Sequence, residues 1–248
     1  MYGSRSKHMK RNKPTHESTK SRIDHMYSNY RKITDVVSSD ISKFGRCFIL
    51  GGGESLSGFN YSILDNNITI GINRSFESYN STLLYSMDTR LYNWITLGKL
   101  DEYDKSNVKQ KWYDYTGQPV YLCPLSNFEF GKEVCVVRRL MHMSISKSLN
   151  TGIYGGNNSG IGAIMLAIAL GFKFIFLLGI DMRIVNKTHH HSGYPNQSVD
   201  RLKSKLDKYI SMFNEIAPMI KDAGIRVINL NKESALKCFD FTDIKEVI

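Results

Sequence analysis

Two glycine-rich turns are the first places where this sequence has residue types suited to chemistry. Gly51-Gly52-Gly53-Glu54-Ser55-Leu56 follows directly on an apolar run, Arg46 to Leu50. Backbone without β-carbons lets N–H groups approach an anion closely, so Gly51, Gly52, Gly53 and Ser55 are candidates for holding a nucleotide phosphate. The turn is neither GxGxxG nor a Walker A loop, because no Lys-Ser or Lys-Thr follows the glycines, and a plain tight turn is the competing reading. Gly155-Gly156-Asn157-Asn158-Ser159-Gly160 stands just ahead of an apolar stretch. Gly156, Asn158, Ser159 and Gly160 are candidates for the same ligand, since uncommitted N–H groups and the positive end of a helix dipole favour an anion. Asn158 and Ser159 also suit a helix N-cap, the structural alternative.

His189-His190-His191 raises metal binding and acid–base catalysis. Three consecutive histidines do not comfortably face one ion, and no HExxH or regularly spaced carboxylate accompanies them, so no metal is called for. One histidine acting as general base on a hydroxyl is the stronger reading; an ordinary solvated loop is the other. Asp181 ends a very apolar run and is costly to bury unless it pairs. It either joins the catalytic groups or bonds the loop that carries the histidines. Asp88, after Tyr85-Ser86-Met87, suits a ribose hydroxyl, a cation or the cap of the next helix.

These residues must be positioned by the elements around them. Arg46–Leu50, Ile68–Ile72, Leu83–Met87, Pro119–Cys123, Phe172–Ile180 and Arg226–Leu230 read as strands. Apolar residues from Ile23 to Phe44 recur at steps of three and four and predict one long helix. Leu202, Leu206, Tyr209, Ile210, Phe213, Ile216 and Ile220 predict another, stopped by Gly224. Buried strands alternating with helices imply an α/β, Rossmann-like fold, a mostly parallel sheet with helices on both faces. Ligands in such folds sit at the carboxyl ends of the strands, where every cluster above falls. Leu91 to Asn150 is rich in aromatic residues and shows no motif.

The chain of 248 residues carries 33 Lys+Arg against 23 Asp+Glu, and its 42% apolar content excludes wholesale disorder. Residues 1–35 hold nine Lys/Arg and three Asp/Glu, so most of the positive excess is N-terminal. Residues 1–20 read as a flexible basic arm fit to touch a polyanion, and residues 21–248 as a single α/β domain carrying the nucleotide-binding turns. Four scattered cysteines without CxxC suit a reduced, cytoplasmic chain. Ile161 to Met182 is apolar enough to suggest a membrane span, but Gly171 divides it into a helix and a strand, and no transmembrane segment is expected.

The run from Asn158-Ser159-Gly160-Ile161-Gly162 through Ala167-Ile168-Ala169-Leu170-Gly171-Phe172-Lys173 to Gly179-Ile180-Asp181 resembles the core of bacterial sialyltransferases of glycosyltransferase family 42. The order of parts around it is also similar: a glycine-rich turn ending Ser-Leu, an Asn at Ile72-Asn73-Arg74, a His-bearing loop, and Asn231-Lys232-Glu233-Ser234-Ala235-Leu236. The resemblance spans about residues 46–240. It implies a nucleotide-sugar donor, CMP-linked or another, held by Gly51, Gly53, Ser55, Asn73, Ser159 and Gly160, with His190 or His191 as base toward a glycan or other acceptor hydroxyl. Glu54 stands where that family has proline, and the lid, shortened to residues 182–188, has no tyrosine; Tyr194 is the one that could take that place. The arrangement is also similar, more distantly, to 6-hydroxymethylpterin diphosphokinase-like proteins, which implies magnesium-dependent pyrophosphoryl transfer as an alternative. A nucleic-acid or virion-associated binding protein using the basic arm is the non-enzymatic alternative.

Overall fold

The computed structural model describes residues 16–194 and 198–248. Most of the expected basic arm, residues 1–15, lies outside the described residues, and its last five residues open a helix, α1 (His16–Ser28). The single helix expected from Ile23 to Phe44 is not found. α1 stops at Ser28 and two 3-10 turns, Ile33–Asp35 and Ser39–Phe44, carry the chain on. The cause is a competing backbone partner: the Arg31 carbonyl accepts from the Val136 N–H at 2.8 Å, and Lys32 bridges to the same residue at the sheet edge. The Ser38 hydroxyl then accepts from the Asp40 N–H and starts a fresh turn. Ile33 is fully buried despite the break.

Next come β1 (Arg46–Leu50), β2 (Ile68–Ile72), β3 (Leu83–Ser86), α2 (Thr89–Thr96), α3 (Lys99–Asp104), α4 (Val108–Asp114), β4 (Gln118–Leu122), β5 (Cys135–Val137), β6 (Arg139–Leu140) and β7 (Ile153–Tyr154). The chain closes with α5 (Ser159–Ala169), β8 (Phe174–Leu178), α6 (Val199–Asp222), β9 (Arg226–Asn229) and β10 (Asp240–Phe241). Among the described residues eight strands form one parallel sheet in the order β10-β9-β8-β1-β2-β3-β4-β5, and β6 and β7 make a separate pair. This is the α/β, Rossmann-like sheet expected.

Both faces of the sheet are covered, which explains why its central strands read as unbroken apolar runs. Cys47 and Ile49 of β1, with Ile175 and Leu177 of β8, pack with α5 and α6. Their alternates, Phe48, Leu50, Phe176 and Leu178, pack with Leu56 and Leu64 on the other face. Further along that face, Leu84 and Tyr121 meet Leu91, Tyr92 and Ile95 of α2, Leu100 of α3 and Trp112 of α4. Much of the aromatic weight between Leu91 and Asn150 is thus core, with Tyr121 and Phe130 ring centroids 4.8 Å apart. The apolar run from Ile161 to Met182 is divided as expected into α5 and β8, around Gly171 at φ +100°. Among the described residues no helix is long and apolar enough to cross a membrane.

The strand order fixes where a ligand fits. From β1 the chain moves to β2 on one side, whereas β8 lies on the other side and continues outward to β9. This reversal of direction in the strand order is where a ligand crevice is expected, at the carboxyl ends of β1 and β8.

Candidate functional site

A cleft of about 740 Å³ occupies this crevice. Gly51, Gly52 and Gly53 after β1, Asn73 after β2, Asp88 after β3, Asn158, Ser159 and Gly160 at the start of α5, and Asp181 after β8 all line it. The sequence-predicted residues thus meet at one place, but many of their polar groups already have partners.

The glycine turn after β1 is a structural joint. Gly51 donates its N–H to the Leu178 carbonyl at 2.7 Å and Gly53 donates to the Gly179 carbonyl at 2.8 Å. A β-carbon on Gly51 would run into the Gly179 carbonyl, and one on Gly53 into the Asp181 carboxylate. The glycines are there because two backbones and a carboxylate converge, and the N–H groups of Gly51 and Gly53 are not open to a phosphate. This corrects the expectation that both would cradle an anion.

Ser55 and Asp181 are spent on each other. The Asp181 carboxylate accepts from the Ser55 N–H at 2.9 Å, the Ser55 hydroxyl at 2.6 Å and the Asn231 amide at 2.8 Å. Ser55 is not among the residues lining the cleft. The C-terminal motif continues the joint: Ser234 donates its hydroxyl to the Ile180 carbonyl at 2.8 Å, and the Ala235 N–H reaches the Asp181 carbonyl at 2.8 Å. Asp181, expected among the catalytic groups, is buried as a hub for three donors and does not bond the histidine loop directly. Glu54 explains its own presence by turning away from the cleft floor. Its carboxylate accepts from the Asn186 and Lys187 N–H groups at 2.9 and 3.0 Å, and those bonds hold it below the usual carboxylate range.

The second glycine turn is capped in the ordinary way. The Asn158 side chain accepts from the Gly160 N–H at 2.7 Å and from the Ile161 N–H at 3.3 Å. Gly156, at φ +55°, does not line the cleft. Asp88 likewise caps α2, accepting from the Arg90 and Leu91 N–H groups. Asn73, at φ +55°, accepts from the Ser86 hydroxyl at 2.9 Å and the Ser159 hydroxyl at 3.3 Å, tying β2, β3 and α5 together at the cleft edge.

The three histidines take three different places. His189 lines the cleft; His190 and His191, expected as the base, do not. The His190 N–H bonds the Gly52 carbonyl at 3.0 Å, and its ring Nε2 lies 3.2 Å from the Ser78 hydroxyl. The His191 ring stacks on His189 at 4.7 Å and accepts at Nδ1 from the Gly193 N–H. Tyr194 also lines the cleft and stands edge-on to both His189 and His191. Burial, aided by the neighbouring His190 and by Arg74, pulls His189 down to about 4, so its imidazole is neutral at pH 7. Burial and then His189 pull His191 down to about 2. The His189 Nδ1 lies 3.1 Å from the Thr188 hydroxyl, and among the described residues its Nε2 has no hydrogen-bond partner.

Arg74 anchors the far end of this loop and was not singled out by the sequence. Its fully buried guanidinium pairs with Glu77 and Asp104, bonds the Ser192 hydroxyl and the Gly193 carbonyl, and lies 5.8 Å from the Tyr194 ring centroid. With Glu54 holding residues 186 and 187, the histidine loop is pinned at both ends.

The cleft walls were also missed. Arg90 and Trp94 of α2, Arg183, and Arg201, Lys205 and Tyr209 of α6 line it, giving four cations against Asp88 and Asp181. In the sequence Arg201 and Lys205 stand one turn apart, just beside the apolar stripe of α6 to which Tyr209 belongs. Among the described residues no group of three or more His, Cys, Asp or Glu is placed to hold a metal ion.

No family model matches the chain, and no curated protein matches it. Among solved structures, a point mutant of the α-2,3/8-sialyltransferase CstII is similar at 18% sequence identity and a TM-score of 0.43, with 79% of this chain and 85% of that chain covered.

Proposed function

We propose that the cleft is the active site of a nucleotide-dependent glycosyltransferase, which moves a sugar from a nucleotide sugar, CMP-linked or another, to an acceptor hydroxyl. The observation that carries this reading is a neutral imidazole, His189, on the wall of a cation-rich cleft at the switch point of a parallel sheet. Cations suit a donor phosphate, and an unprotonated imidazole suits a hydroxyl that must lose its proton. The resemblance of the run from Asn158 to Asp181 to family 42 sialyltransferases agrees in substrate class.

In this reading the acceptor oxygen attacks the anomeric carbon while the bond from that carbon to the nucleotide phosphate oxygen breaks, its electron pair leaving with the nucleotide. The hydroxyl proton passes to His189. The Thr188 hydroxyl beside Nδ1 orients the ring, leaving Nε2 for the acceptor. A bound anion opposes the effect of Arg74 and raises the basicity of His189 as the reaction needs.

Thermal melting with CMP, UDP and ATP, each with and without magnesium, tests the binding half of the proposal. A ligand bound only by the folded chain at a hundred times its Kd adds about 2.7 kcal/mol. The expected result is a raised melting temperature with a pyrimidine nucleotide, independent of magnesium. Stabilisation by ATP alone, and only with magnesium, would favour pyrophosphoryl transfer; no shift with any nucleotide would contradict the proposal.

A further inference from the structure

The turns that would cradle a phosphate in a glycine-based site have spent several of their donors. Gly51 and Gly53 give theirs to β8 and the residue after it, while Gly160 and Ile161 give theirs to Asn158. The N–H groups of Gly52 and Ser159 have no partner among the described residues, but the positive charge that meets an anion here comes from side chains. Two of the four lining cations have partners of their own. Arg90 lies 3.4 Å from the Asp88 carboxylate and 5.0 Å from the Trp94 ring centroid, and Arg183 lies 3.5 Å from Glu233.

Arg201 and Lys205 differ. Both line the cleft, and among the described residues neither has a carboxylate within ion-pair distance. They sit one turn apart on α6, a spacing that puts their β-carbons about 6 Å from each other, so the two like charges repel when nothing lies between them. The sequence leaves them unneutralised: no Asp or Glu stands three or four positions from either. Asp200 and Asp207 instead fall three and four positions from Lys203, which does not line the cleft. Leu202 and Leu206 lie beside the pair in the wall, limiting water around an ion held there.

We infer that Arg201 and Lys205 form the phosphate clamp of the cleft, gripping the phosphate of a nucleotide from the α6 side. This rests on the nucleotide-sugar reading only for what carries the phosphate; the clamp itself would also take inorganic pyrophosphate.

The test is isothermal titration of the full chain with CMP, UDP, ATP and inorganic pyrophosphate, for wild type, the double variant Arg201→Gln/Lys205→Gln and a control, Lys203→Gln/Lys208→Gln. The control removes the same charge from α6 away from the cleft. Circular dichroism melting checks that each chain is folded. The double variant should lose about a hundredfold in affinity for whichever anion binds best, roughly tenfold per charge-assisted contact. The control should stay within about twofold, and raising the salt should weaken wild type more than the double variant. Unchanged affinity in the double variant, an equal loss in the control, or a wild type that binds none of the four anions would overturn the clamp. A wild type that binds nucleotide through the pair yet transfers no sugar from any nucleotide sugar would sink the glycosyltransferase reading and leave the clamp standing.

Discussion

The floor of the cleft and its walls are built on opposite principles. On the floor, Ser55 and Asn231 bond Asp181, Gly51 and Gly53 bond Leu178 and Gly179, and Asn158 bonds Gly160 and Ile161, so many polar groups are already taken. On the walls, Arg201 and Lys205 carry charges without ion-pair partners, and His189 keeps one ring nitrogen free among the described residues. A buried polar group has to be satisfied, so groups nearest the sheet are used up in holding the segments after β1 and β8 together. Groups a few ångströms out, half in water, can stay uncommitted without that cost. Residues that look most like a binding motif can therefore be the frame, and plainer residues on a neighbouring helix the contact surface.

The sharpest way to break this contrast is to damage the floor. Gly53→Ala keeps an accessible backbone conformation, φ −65°, yet drives a β-carbon into the Asp181 carboxylate and to 2.7 Å from the Gly179 carbonyl. The expected loss is about 3 kcal/mol of stability, read by urea denaturation. A variant as stable as wild type would show that the floor is loose and its glycines incidental.

A smaller effect should come from the histidine loop on acidification. His189 and His191 titrate lower in the folded chain than the ordinary value near 6.5. Between about pH 6.5 and 4 the unfolded chain binds more protons, so the stability both contribute is complete above that window and is lost as pH falls through it. The loss at pH 5 is on the order of 1 kcal/mol per histidine. Melting temperature should drop from pH 7.5 to 5, and His191→Gln should narrow the drop; a pH-independent melting temperature would mean the loop is open to solvent.

Much of the fold was legible because parallel strands buried on both faces leave continuous apolar runs, and six of them were located within a few residues. The helix expected through Ile33 and Phe44 was not, since its periodicity continued across Arg31, whose backbone instead pairs with Val136. The convergence of Gly51, Asn73, Ser159 and Asp181 on one cleft could be inferred from strand ends alone. Which of their donors stayed free could not, because the partners of Gly51 and Ser55 lie more than a hundred residues away, at the end of β8 and just after it. The role of Arg74 was hidden for the same reason: it depends on Asp104 and on Ser192 and Gly193. Arg201 and Lys205 left a local trace, cations on one helix face with no acid at pairing distance, but their position at the cleft depended on the tertiary fold.

The account turns on which histidine meets the acceptor. The most direct test compares initial rates of sugar transfer for His189→Ala, His190→Ala and His191→Ala, with nucleotide affinity measured on the same preparations. His189→Ala should lose about 10² to 10⁴ in rate at unchanged nucleotide affinity, while the other two, once corrected for folded fraction, should stay within about tenfold of wild type. Wild-type turnover in His189→Ala, or the large loss falling on His190→Ala or His191→Ala with folding intact, would contradict it.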